Sequence, residues 1–153
     1  MGRRDGRDRW DTVSIGVFFI ILGAVFLTTP NLIQEIVDFF RDLKVVDFQG
    51  FGLIEPENPH PNLYRAVAIA AAAAGTWNVI LGFLRLYTPE SRRRAVGSFS
   101  GAVFNFGAAA TFVELTNQTI PFRTVIPILI ILGGLALIVR ASVNLALNKR
   151  QQA

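Results

Sequence analysis

The chain has 153 residues, 52% of them apolar and 17% charged, with a mean hydropathy of +0.44 and a net charge of +4. One domain fits that length. The surplus of arginine does not indicate nucleic acid, because the arginines stand at the ends of apolar runs and not in a stripe interleaved with aromatics, and the absence of cysteine excludes disulfides, thiolate metal ligands and cysteine nucleophiles.

Four runs approach or exceed the roughly 20 apolar residues that a helix needs to cross the hydrocarbon core of a bilayer. The first, "VSIGVFFIILGAVFLTT" at 13–29, carries no charge and follows the basic "MGRRDGRDRW". No small-x-small cleavage site follows it, and Asp5 together with the length of the run distinguishes Arg3 and Arg4 from a twin-arginine signal, so an uncleaved span is expected.

The period then changes. Within 31–44, Leu32, Ile33, Ile36, Val37, Phe40 and Leu43 share one side of a helix, and Gln34, Glu35, Asp38, Arg41 and Asp42 share the other. Thr29 is the expected N-cap, with Pro30 in the first helical position. The apolar face suits a membrane surface or the ends of the spans. "QGFGLIEPENPHPN" at 49–62 reads as an extended loop and holds the one histidine, His60. Glu55, Glu57 and His60 make an incomplete ligand set, so no metal site is expected there.

Spans follow at 63–86, 96–116 and 124–147, joined by "TPESRRRA" and "NQTIPFR", and such short links make consecutive spans antiparallel neighbours. Arg3, Arg4, Arg7 and Arg9, then Arg85, Arg92, Arg93 and Arg94, then Arg140, Lys149 and Arg150 fall on one side; Arg41, Lys44, Arg65 and Arg123 fall on the other. The positive-inside rule therefore puts both termini in the cytoplasm and the amphipathic helix outside. The expected architecture is all-α: a single integral membrane domain over 1–153, built as a four-transmembrane-helix bundle with an extracytoplasmic amphipathic helix between spans one and two.

Helices in lipid associate by close backbone approach, dispersion contact and a few hydrogen bonds. Gly16 and Gly23 in span one, Ala70, Ala74, Gly75 and Gly82 in span two, and Gly97, Gly101, Asn105 and Ala109 in span three offer small or polar faces for this. Asn78 and Asn105 each lie nine residues from the inner end of their span, roughly 13 Å deep at 1.5 Å per residue, and can meet as polar glue or border a solute pathway. Glu114, one turn from the outer end of span three, is expected either to pair with Arg65 or Arg123 or to face an aqueous cavity. Arg140 can snorkel to the inner surface.

No phosphate loop, nucleophile elbow or histidine pair is present, so neither an enzyme nor a bound cofactor is expected. The expected function is that of a non-catalytic subunit, scaffold or assembly factor, with lipid and homo- or hetero-oligomeric membrane partners. A small oligomeric transporter or channel is the alternative. In "NPHPNLYRAVAIA", "GTWNVILGFLRLY" and "LGGLALIVRAS" the chain resembles small four-span archaeal membrane proteins of no assigned activity. That resemblance implies the four-span architecture and assigns no residue a role.

Overall fold

The computed structural model describes residues 5–48, 51–87 and 92–152. Arg3, Arg4 and the first half of the link between spans two and three lie outside the described residues. The described residues form five α-helices and one hairpin: α1 (Asp5–Thr28), α2 (Leu32–Arg41), β1 (Leu43–Phe48), β2 (Phe51–Pro56), α3 (Pro61–Leu86), α4 (Arg92–Thr116) and α5 (Val125–Gln152). A 3-10 turn at Phe122–Thr124 leads into α5. The chain is mostly helical, as expected. Helices α3, α4 and α5 are each long and apolar enough to cross a membrane, and α1 meets the same test together with α2 across an 89° bend, which makes three candidate spans, or four, among the described residues.

The bend is set by three residues. The Thr29 N–H still bonds the Val25 carbonyl at 3.0 Å, Pro30 has no N–H to continue the ladder, and Asn31 adopts a left-handed conformation with φ 56°. Asn31, not Thr29, therefore stands at the N-cap of α2, and its carbonyl accepts the Glu35 N–H at 3.0 Å. Leu32 then packs with Val25 and Ala66, which ties the corner to α3.

Helix α2 stops at Arg41, three residues short of the expected end, and 43–48 turns into a strand. Its antiparallel partner is 51–56, in the register Leu43↔Pro56 and Val45↔Ile54. Part of what reads as a proline loop is thus paired backbone. The β-branched Val45, Val46 and Ile54 favour the extended chain, and Pro56 sits at the strand terminus, where a missing N–H is tolerated. The apolar face of α2 is divided between two environments. Leu32, Ile36 and Phe39 pack inward, whereas Ile33, Val37 and Phe40 are exposed.

Helix α3 packs against α4 most closely over residues 75–82, beyond its alanine run. A β-carbon on Gly75 would lie 3.1 Å from the Phe106 ring, one on Gly82 would lie 2.8 Å from the Phe99 ring, and one on Gly101 would lie 3.3 Å from the Asn78 amide. Side chains thus fill glycine notches from both sides of the seam. Helix α5 joins α4 in the same manner, with Leu132 over Gly107 and the Ser100 hydroxyl donating to the Ala136 carbonyl at 2.5 Å. By contrast, Gly16 and Gly23 in α1 have no neighbour within 4 Å of a β-carbon. Helix α1 meets α3 through its Val25 end and a 3.4 Å hydrogen bond from the Trp77 indole N–H to Ser14. The helices pack in the order α1, α3, α4, α5, and among the described residues no extensive contact closes α5 back onto α1.

Candidate functional site

The densest group of polar side chains surrounds His60, where α2, the exit from the hairpin and the start of α3 converge. Glu35 and Asp42 are seven residues apart, two turns along α2, so both carboxylates reach the same side. Asp42 caps α2 by donating its N–H to the Asp38 carbonyl at 2.9 Å. Its carboxylate accepts the Asn58 backbone N–H at 2.8 Å and the Asn58 side-chain amide at 3.1 and 3.0 Å. The Asp42 carbonyl accepts the Glu57 N–H at 3.0 Å, so one residue holds the helix end to the loop by main chain and side chain together.

His60 is buried. Its Nε2 lies 3.3 Å from Asp42 Oδ2, and its Nδ1 lies 3.7 Å from Glu35 Oε2. An ionised carboxylate only accepts, so the neutral ring must carry its proton on Nε2 to bond Asp42, and a doubly protonated ring would serve both acids. Glu35 is fixed in turn by the Asn62 side-chain amide at 2.9 Å. The ring is walled by Phe39, edge-on at 5.6 Å, and by Tyr64 at 6.5 Å, while Phe122 stacks obliquely on both of those aromatics. Tyr64, Leu115 and Val125 form the apolar floor. The Asn58 backbone amide, foremost, holds the Asp42 carboxyl below its ordinary range; burial opposes this, and the Asn58 side chain and His60 add to it.

The acids beside His60 are thus Glu35 and Asp42, not its sequence neighbours Glu55 and Glu57. Glu57 pairs with Lys44, and Glu55 lines a cleft of about 400 Å³ between the loop and the 3-10 turn. Among the described residues no group of three histidine, aspartate or glutamate side chains is arranged to hold a metal ion. The missed partners carried one legible signal, the two-turn spacing of Glu35 and Asp42. The chain's return to α2 through the hairpin carried none.

The intramembrane candidates are partly brought together. The Asn105 amide donates to the Gly101 carbonyl at 2.9 Å, and Asn78 covers Gly101 from α3, so the two amides converge on one glycine without a hydrogen bond between them among the described residues. Glu114 is exposed, and among the described residues no ion pair within 4.0 Å joins it to Arg65. Arg65 instead borders a groove between α3 and α4, and Arg123 lies in the 3-10 turn. The Arg140 guanidinium lies over Gly97 of α4, 4.0 Å from where a β-carbon would stand. Two polar links that the sequence reading did not single out also cross the seams: Arg85 donates to Ser98 at 2.8 Å, and Ser100 reaches α5 as described. Comparison with protein-family models, with curated proteins and with solved structures finds no match for the chain.

Proposed function

We propose that the chain is a non-catalytic membrane subunit or scaffold of four spans, with both termini cytoplasmic and the segment from α2 to the start of α3 on the outer surface. The observation that carries this reading is the exposure of the two end helices. In α1, Leu27 is 90% and Ile20 70% exposed; in α5, Ile130 is 68% and Leu137 66% exposed. Single spans need no such company in lipid, but a row that does not close leaves both flanks for further helices. The right-angled corner between α1 and α2 supports an α2 lying in the membrane plane, with Ile33, Val37 and Phe40 towards lipid.

In this reading the His60 cluster is a clasp that fastens the outer segment to α3. Its histidine is enclosed by aromatic rings, and its acids are occupied by asparagine amides. Transport is the second reading, and it has less support, since Asn78 and Asn105 converge on Gly101 inside the packed seam between α3 and α4. Purification of the tagged full chain in mild detergent tests the choice. A stoichiometric second polypeptide or a defined homo-oligomer is expected. A monomer that is thermally stabilised by a solute replaces the scaffold reading with transport.

A further inference from the structure

We propose that the groove between α3 and α4 is a binding site for one anionic phospholipid, whose acyl chain lies against the alanines and whose phosphate is held at Arg65. The inference rests on the reading of α3 and α4 as membrane spans. The groove has a volume of about 530 Å³, within the usual range of ligand sites. Ala68 and Ala72 form one wall and Ala109 and Ala110 the other, so the depth comes from side chains that stop at the β-carbon. Ile69 and Val113 stand on the rim at 43% and 47% exposure, which opens the groove sideways to the bilayer.

Its ends differ. At the membrane boundary the lining becomes polar with Arg65, Thr116 and Asn117. Arg65 is exposed and has no carboxylate within 4.0 Å among the described residues. The lining ends at Ala72 on α3 and Ala109 on α4, and one turn beyond them the Phe106 ring fills the notch at Gly75. From Arg65 to Ala72 the groove runs about 10 Å at 1.5 Å per residue. One leaflet of a hydrocarbon core about 30 Å thick is about 15 Å deep. A transmembrane helix from a partner or a second copy would need a face continuing past the midplane, and this one ends short of it. An acyl chain fits that length. A guanidinium with an amide beside it at the headgroup level matches a phosphate, to which arginine bonds through two N–H groups. Glu114 neighbours Val113 in sequence but does not line the groove.

The test uses the full chain in a neutral detergent, with phosphatidylglycerol and phosphatidylcholine titrated separately and bound lipid counted by native mass spectrometry. One phosphatidylglycerol per chain is expected, held about fivefold more tightly than phosphatidylcholine, the factor that a single basic residue contributes near an anionic surface. Arg65→Gln should reduce that preference to about twofold or less. Ala72→Leu should displace the lipid while Arg65 is intact, and Ala110→Leu on the opposite wall repeats the test should the first variant not fold. Equal retention of both lipids by the parent, or unchanged phosphatidylglycerol binding in Arg65→Gln and the leucine variants, overturns the proposal. Failure of the chain to fractionate with membranes removes the spanning reading itself, which separates the two failures.

Discussion

The seam between α3 and α4 and the edge between α1 and α3 draw on the same residue type with opposite results. In the seam each glycine has an aromatic or amide partner, Phe106 at Gly75, Phe99 at Gly82 and Asn78 at Gly101. In α1, Gly16 and Gly23 recur at an equally regular interval and meet nothing within 4 Å. Small residues permit close approach; a large side chain on the facing helix converts that permission into contact.

The largest effect should come from filling a notch. Gly82→Leu forces a side chain into the space of the Phe99 ring and should cost about 1–3 kcal/mol, as overpacking does in well-filled interiors. Gly23→Leu should stay within about 0.5 kcal/mol, because the space beside it is open. Thermal unfolding in detergent compares the two. A smaller effect is expected where α4 meets α5: Ser100→Ala removes the hydrogen bond to the Ala136 carbonyl and should cost about 0.6–2 kcal/mol in the same measurement. At the α1 edge the corresponding bond is long, so Trp77→Phe should cost about 0.6 kcal/mol or less and should leave the α3–α4 seam unchanged by cysteine cross-linking.

The clasp provides a local contrast with both helix contacts. Because the folded-state carboxyl of Asp42 titrates below its ordinary value, the stability it contributes is fully present above the ordinary carboxylate range and is lost as pH falls through the lowered value. Hydrogen exchange at the Asn58 amide should therefore accelerate relative to amides of the α3–α4 seam in strong acid. In Asp42→Ala that faster exchange should be present at neutral pH and should lose its acid dependence.

Much of this contrast lies beyond what a sequence can carry. The helices of the spans were legible because each is a long apolar run between charged or proline-containing ends, and their bounds at α3, α4 and α5 lie close to the expected ones. The hairpin was not legible, since the helical period of α2 continues through Leu43 while the competing preference comes only from Val45, Val46 and Ile54 and their pairing across the turn. At the candidate site, His60 was visible as the single histidine, but its acids come from a helix 18 residues or more earlier in the chain. Glycine spacing likewise signals a face and not a partner, and so Gly16 and Gly23 looked the same as Gly75 and Gly82.

In the proposed subunit the unfilled flanks of the row, and not its inner seam, receive further polypeptide. Site-specific photocrosslinking in native membranes tests it most directly, with a benzophenone amino acid placed at Ile20 of α1, at Ile130 of α5 and, as the control, at Ile69 on the lipid-facing groove. Discrete cross-linked polypeptides are expected from at least one of the two flanks and none from Ile69. Cross-links to lipid alone at Ile20 and Ile130, with the chain monomeric throughout, would contradict it.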